Sequence, residues 1–362
     1  MTSTTIQAAV CFEHGTPLTL EQVHLRGPAE GEVEVTLEAV AICHSDISYM
    51  EGAWGGELPA VYGHEAAGRI TGLGAGVTSY AMGARVLVTL IRSCGQCGSC
   101  AGGHPVNCDG NQPAAPALAL PDGRPVTKAM NCGAFAEKVV VDQSQIALIG
   151  EEMGADVACL LACGVPTGVG AAVNTAQVRP GQTVVVIGAG GVGLNAIQGA
   201  RISGAARIVA MDMEPSKLED AKSFGATHGI LASLPDPAQA LRDITGGGLA
   251  DHVFVTVGAI PAYDMAQHLL AARGTLYAVG MPHSGQTSSY EPVNIAFMGQ
   301  GIRGSMLGDI VLARDVPWMV ELYRQGRLKL DELISARWRF DQINEAIADT
   351  KAGKARRNVI VF

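Results

Sequence analysis

The sequence predicts an α/β chain in two domains, a β-rich one followed by a doubly wound parallel sheet. Three observations carry this. Up to about Val165, short β-branched runs alternate with Gly, Pro and Asp turns, the pattern of an antiparallel or barrel-like domain. From Thr183 the pattern becomes strand, helix, strand, helix, which implies a parallel sheet with helices on both faces. The 362 residues exceed one ordinary core, and 48% apolar residues with 46 glycines suit a well-buried protein rich in tight turns.

In order, strands are expected at residues 6–12, 32–41, 66–73, 85–90 and 135–141. Between two of them lies Cys94-x2-Cys97-x2-Cys100-x7-Cys108, four cysteines within fifteen residues. Four closely spaced thiolates are what a closed tetrahedral zinc site needs, and such a site is structural because no coordination position stays open. The alternative is a pair of disulfides, but neighbouring cysteines would close very small loops. The start of the chain lacks the charged-then-apolar pattern of a secretory signal, and disulfides are uncommon inside cells. Zinc and a cytoplasmic location are therefore expected. Residues 111–128 hold four prolines and read as a long surface excursion.

The second domain opens with a continuous apolar strand at 183–188, of the kind buried on both faces. A helix at 191–203, a strand at 206–212 and a helix begun by Pro215 follow, then strands at 251–258 and 274–280. Past about Gly304 the alternation fades and the tail is expected to rejoin the first domain. The expected division is 1–164 with 305–362, and 165–304.

Gly188-Ala-Gly190-Gly191-Val192-Gly193 follows the first strand of this part and opens its first helix. Alone such a glycine match is weak. Here Asp212 ends the next strand, nineteen residues after Gly193. Gly188 permits the turn, Gly190 lets a pyrophosphate approach the backbone, and Gly193 lets helix and strand pack. The helix N-terminus offers unpaired N–H groups to phosphates. Asp212 can accept hydrogen bonds from ribose hydroxyls and would repel a 2′-phosphate, so NAD is expected over NADP. Lys217 could reach the same ribose, although alone it reads as a solvated helix lysine. The net charge of −9 argues against a nucleic-acid partner, and no apolar run of eighteen residues suggests a membrane span.

Two short motifs remain, Cys43-His44-Ser45-Asp46 and Gly63-His64-Glu65, with Cys163 at the approach to the second domain. Cys43, His64 and Cys163 make a Cys2His set, the pattern of a catalytic zinc with an open fourth position. Taken singly each is weak, since a lone buried Cys is usually a small hydrophobe. Spacing does not show that the three meet.

With these motifs in this order, the chain resembles the zinc-dependent alcohol dehydrogenases of the medium-chain dehydrogenase/reductase superfamily, over essentially its whole length. The resemblance implies a GroES-like catalytic domain with a Rossmann domain inserted before its last segment. It implies two zinc ions per chain and NAD. Cys43, His64 and Cys163 would hold the catalytic zinc, and Cys94, Cys97, Cys100 and Cys108 the structural one. Asp46 would orient His64, Glu65 would approach the metal when ligands exchange, and Ser45 would contact the substrate oxygen. Thr167 would pack on the nicotinamide, which Val279, Ser305 and Leu307 would border through backbone groups. Arg357 would contact the pyrophosphate. Trp54, Leu90 and Ala136 would line the substrate cleft, with packing under a loop as the other reading of Trp54.

Two positions depart from the family. His44 stands where many relatives carry a pyrophosphate-binding Arg, which implies weaker NAD binding and faster release. Ser48 stands where some relatives end their proton relay with a histidine. The proton would then leave Ser45 through the ribose hydroxyl to water, with His44 as the alternative acceptor. The expected reaction is reversible hydride transfer between a primary alcohol, aromatic or medium-chain, and NAD. A thiol-adduct formaldehyde dehydrogenase ranks below it, because residues 51–57 lack an obvious charged grip for glutathione. A non-catalytic dinucleotide-binding subunit is the third reading. Relatives are dimers or tetramers, and the shared edge here would be 298–306.

Overall fold

The computed structural model of the protein describes residues 3–110 and 116–362. Among these the chain forms two compact units. One gathers the chain up to Cys163, Val311–Tyr323 and Leu330–Phe362; the other holds Gly164–Ile310 and Arg324–Lys329. The chain thus leaves the second unit at Val311, six residues beyond the expected 305, and returns to it once. The return is tied down by Gln198. Its side chain donates to Lys329 O (3.0 Å) and accepts from Lys329 N (2.7 Å).

The first unit is built of β-structure. Ser3–Cys11 pairs antiparallel with Thr19–Arg26, and Leu118–Ala119, Pro125–Lys128 and Ala60–Val61 complete a closed barrel. This corrects the expected excursion at 111–128. Residues 111–115 lie outside the described residues, but the rest supplies two barrel strands and buries Leu118, Leu120 and Val126. Proline hid this, because it reads as a strand breaker yet is tolerated as the first residue of a strand, where Pro125 sits.

A second sheet runs in the order Ile146–Leu148, Arg85–Thr89, Glu65–Leu73, Glu32–Ala41, Arg357–Val361, Ile334–Arg339, with Lys138–Asp142 also paired to Glu32–Ala41. Near the C-terminus, Val359 and Ile360 pair with Ala41 and Val40 and are fully buried. That burial is what draws the tail back to the first unit.

The second unit is a parallel sheet ordered His228–Leu231, Arg207–Asp212, Thr183–Ile187, Ala250–Val255, Leu270–Ala278, Gly301–Gly304. Every residue of Thr183–Ile187 is buried, which explains its unbroken apolar run. The chain order reverses beside this strand. In sheets of this kind ligands bind outside the carboxyl ends at such a reversal, and the Gly188 turn sits there. Among the described residues no single helix is long and apolar enough to cross a membrane.

Candidate active site and metal centres

Cys43 ends the extended stretch after Glu32–Ala41 and caps the helix His44–Met50. Asp46, in the first turn of that helix, is fully buried and makes three contacts with one carboxylate. Its Oδ2 accepts from Cys43 N (3.0 Å), and its Oδ1 accepts from Gly63 N (2.9 Å) and lies 2.9 Å from His64 Nδ1. A carboxylate can only accept, so Nδ1 carries the proton and Nε2 is left as a ligand atom. The structure brings Cys43, His64, Glu65 and Cys163 together, with ligand atoms all within 4.8 Å of one another and all four residues buried.

This donor set fits a metal on its own chemistry. Both Glu65 oxygens are buried without a hydrogen-bond partner, as is Arg357 Nη2, 3.7 Å from Glu65 Oε1. Burial pushes the Glu65 carboxyl up to about 7, against the pull of the Arg357 guanidinium. A hydrogen bond from Cys163 holds the Cys43 thiol well below its ordinary value. A cation among two thiols, an imidazole and a bare carboxylate would complete what the protein leaves unmet.

The quartet converges as well. Sγ atoms of Cys94, Cys97, Cys100 and Cys108 lie within 4.8 Å of one another, half-buried. Backbone N–H groups point at the sulfurs: Cys94 N to Cys108 Sγ and Cys97 N to Cys94 Sγ, both 3.3 Å. The N–H of Cys100, foremost among several, lowers the Cys97 thiol to about 6. All nine cysteines are free thiols, so the disulfide alternative fails.

In the second unit the glycine turn separates by role. A Cβ on Gly188 would lie 2.4 Å from Val257 Cγ1, and one on Gly193 1.7 Å from Gly188 O, so both are glycine for internal packing. A Cβ on Gly190 would meet nothing within 4 Å. That open face, at the start of Gly191–Ile202, suits the approach of a pyrophosphate. Asp212 accepts from Ala189 N (2.8 Å) and Glu214 N (3.1 Å), holding its carboxylate beside the turn. Lys217 is half-buried on the next helix. Val279 and Ser305 directly follow Leu270–Ala278 and Gly301–Gly304, at the same carboxyl edge as Gly188. Leu307 lies two residues on, and Thr167 is on the helix Gly164–Gly170.

Several expected site residues sit differently. Arg357, expected at a pyrophosphate, is 5% exposed with its guanidinium facing Glu65 in the first unit. Ala136 is fully buried and bridges to Ala8 in the barrel core, so it presents no free wall to a cleft. Trp54 is half-buried and packs edge-on against Tyr49 (centroids 5.0 Å apart). His44 is exposed, while Ser45, Ser48 and Leu90 are half-buried. Sequence reasoning passed over Asn174, Thr175 and Asp309, which hold the Ser305–Leu307 segment. The left-handed backbone of Leu307 and Asp309 marks that segment, and a non-glycine sequence does not show it.

A buried cluster of two thiols, an imidazole and a carboxylate in one unit, and a dinucleotide-binding sheet in the other, define a metal- and dinucleotide-dependent oxidoreductase. Residues 29–151 match the family described as alcohol dehydrogenase GroES-like domain, and 191–325 the zinc-binding dehydrogenase family. The chain is 35% identical over 366 residues to an alcohol dehydrogenase class-3 of Myxine glutinosa, covering 98% of this chain and 97% of that protein. It is 35% identical over 368 residues to an S-(hydroxymethyl)glutathione dehydrogenase of Photobacterium damsela subsp. piscicida, covering 98% and 99%. The crystal structure of benzyl alcohol dehydrogenase from Acinetobacter calcoaceticus superposes with a TM-score of 0.93 at 30% identity, covering 99% of each chain. The chain belongs to the zinc-dependent alcohol dehydrogenases of the medium-chain dehydrogenase/reductase superfamily, enzymes that use zinc and a nicotinamide cofactor.

Proposed function

We propose that this enzyme oxidises a primary alcohol, aromatic or medium-chain, with NAD, reversibly, and holds two zinc ions per chain. The observation that carries the reading is the buried Cys43–His64–Glu65–Cys163 cluster with His64 fixed by Asp46. Cys43, His64 and Cys163 would hold a zinc ion, which would supply Lewis acidity toward an alcohol hydroxyl, and NAD would supply the hydride acceptor. The chain's own residues do the rest. Asp46 fixes the His64 tautomer. Ser45, half-buried beside Cys43, takes the hydroxyl proton and passes it outward, with no histidine at Ser48 to receive it. Asp212, set against the glycine turn, accepts from the adenosine ribose and disfavours a 2′-phosphate.

Similarity to the glutathione-adduct dehydrogenase supports a second reading, oxidation of a hydroxymethyl thiol adduct. One assay separates them. Protein, NAD and a panel of alcohols should yield NADH absorbance without added thiol, and NADP in place of NAD should give far less. A requirement for glutathione plus formaldehyde would move the conclusion to the second reading. No turnover under either condition would defeat both. We further propose a cytoplasmic homodimer or homotetramer joined at the Gly301–Gly304 edge.

A further inference from the structure

Ser305–Asp309 follows the last strand of the parallel sheet, and its backbone is held in an unfavourable shape. Leu307 (φ 47°), Gly308 (φ 66°) and Asp309 (φ 49°) are consecutive left-handed residues. For a leucine and an aspartate this conformation is strained and persists only where the surroundings enforce it. The enforcing element is the turn Ala171–Thr175, wound as a single π-turn, a form concentrated at functional sites.

The contacts are specific. Thr175 is 2% exposed, and its Oγ1 donates to Asp309 Oδ2 at 2.8 Å. That uses its one proton, so Ser305, whose Oγ is 2.8 Å from the same Oγ1, must be the donor in that pair. The chain of bonds therefore runs one way, Ser305 to Thr175 to Asp309. Asn174 Nδ2 donates to Gly308 O at 3.1 Å, and Arg303 donates to Thr175 O at 3.2 Å with Nη2 3.6 Å from Asp309. A Cβ on Gly308 would stand 2.3 Å from Pro166 O, so the loop sits directly on the helix that carries Thr167.

From this geometry we infer that Thr175 and Asp309 are positioning residues for the nicotinamide half of the cofactor. They act through the backbone of Ser305–Leu307 and touch no reacting atom. The inference rests on the cofactor reading above and adds a division of labour to it. The glycine turn and Asp212 serve the adenosine and pyrophosphate, and the Thr175–Asp309 clamp serves only the nicotinamide end.

ADP-ribose, which lacks nicotinamide, tests this division. Thr175→Val keeps the shape of the side chain and removes the hydroxyl. It should weaken NADH binding roughly tenfold, a typical effect of losing a hydrogen bond to a charged group, and alter bound NADH fluorescence. ADP-ribose affinity should stay unchanged. Thr175→Ser should restore both NADH readouts, and Asp309→Asn should fall between Val and the parent. Equal weakening of both ligands would show a merely structural role and overturn the assignment, as would parent-like NADH binding by Thr175→Val. A parent enzyme that binds neither ligand would defeat the cofactor reading itself, and the assignment with it.

Discussion

Single residues set both the chemistry and the main local costs. Asp46 spends its carboxylate on Cys43 N, Gly63 N and the His64 ring, so one side chain fixes two strand ends and a tautomer. Lys128 is the opposite case, a charge the fold does not reward. Its Nζ donates to Val140 O, and burial pulls its ammonium from 10.5 down to about 8. Below pH 8 the lysine is protonated in folded and unfolded chains alike, and the folded chain carries the desolvation cost. Between pH 8 and 10.5 the folded chain releases its proton while the unfolded chain keeps it, so stability rises with pH. The shift corresponds to about 3 kcal/mol at most. Lys128→Met should therefore unfold at higher urea than the parent at pH 7, and the advantage should shrink steadily toward pH 10.5. An advantage independent of pH would contradict this. The quartet was readable because four thiols at close, fixed spacing announce a metal site, whereas Cys43, His64 and Cys163 were readable only through the family resemblance, since spacing does not show that they meet. Lys128, Thr175 and Asp309 were not, since their roles depend on burial and backbone angles that no local pattern encodes.

Elements differ in what they hold. The quartet loop contains a four-residue helix, Gly98–Ala101, capped by the Cys97 sulfur, and a single 3-10 turn, Pro105–Asn107, and neither buries a residue. With so little core of its own, the loop depends on the four sulfurs and whatever they bind. The Cys43–His64–Cys163 cluster instead stands on buried strands and helices that exist without it. The two sites should fail differently. Cys97→Ala should lose one of two zinc ions by metal analysis and lower the melting midpoint by about 5–10 °C. Cys43→Ala should lose one zinc as well but abolish turnover, with a midpoint near that of the parent. Identical midpoints for the two variants would contradict the division. The long elements were legible for a related reason. Thr183–Ile187 is an unbroken apolar run and Gly191–Ile202 is opened by the glycine turn, whereas Leu118–Ala119 and Ala60–Val61 have two residues each and take their strand identity from barrel neighbours.

At the scale of the whole molecule, one surface of the second unit is left incomplete. Gly301–Gly304 pairs with Leu270–Ala278 on one side and is the edge of its sheet, with Ile302 50% exposed. Next to it in sequence, the helix Pro292–Met298 buries none of its residues, and Val293 and Phe297 are 68% and 87% exposed. A seven-residue helix with an apolar surface and no burial lacks the packing that normally stabilises short helices. An open, apolar sheet edge is also a standing template for another strand. A second copy would answer both needs, as the proposed assembly requires. Pairing the same edge antiparallel about a two-fold axis is self-complementary and closed, so it ends at a defined assembly. Light scattering should show the parent as a dimer or tetramer, and Phe297→Glu with Ile302→Lys should shift it toward monomer. Because that strand runs straight into Ser305–Asp309, the dissociated variant should also bind NADH more weakly while holding its zinc. A parent already monomeric, or a double variant with unchanged mass, would remove the edge from the assembly.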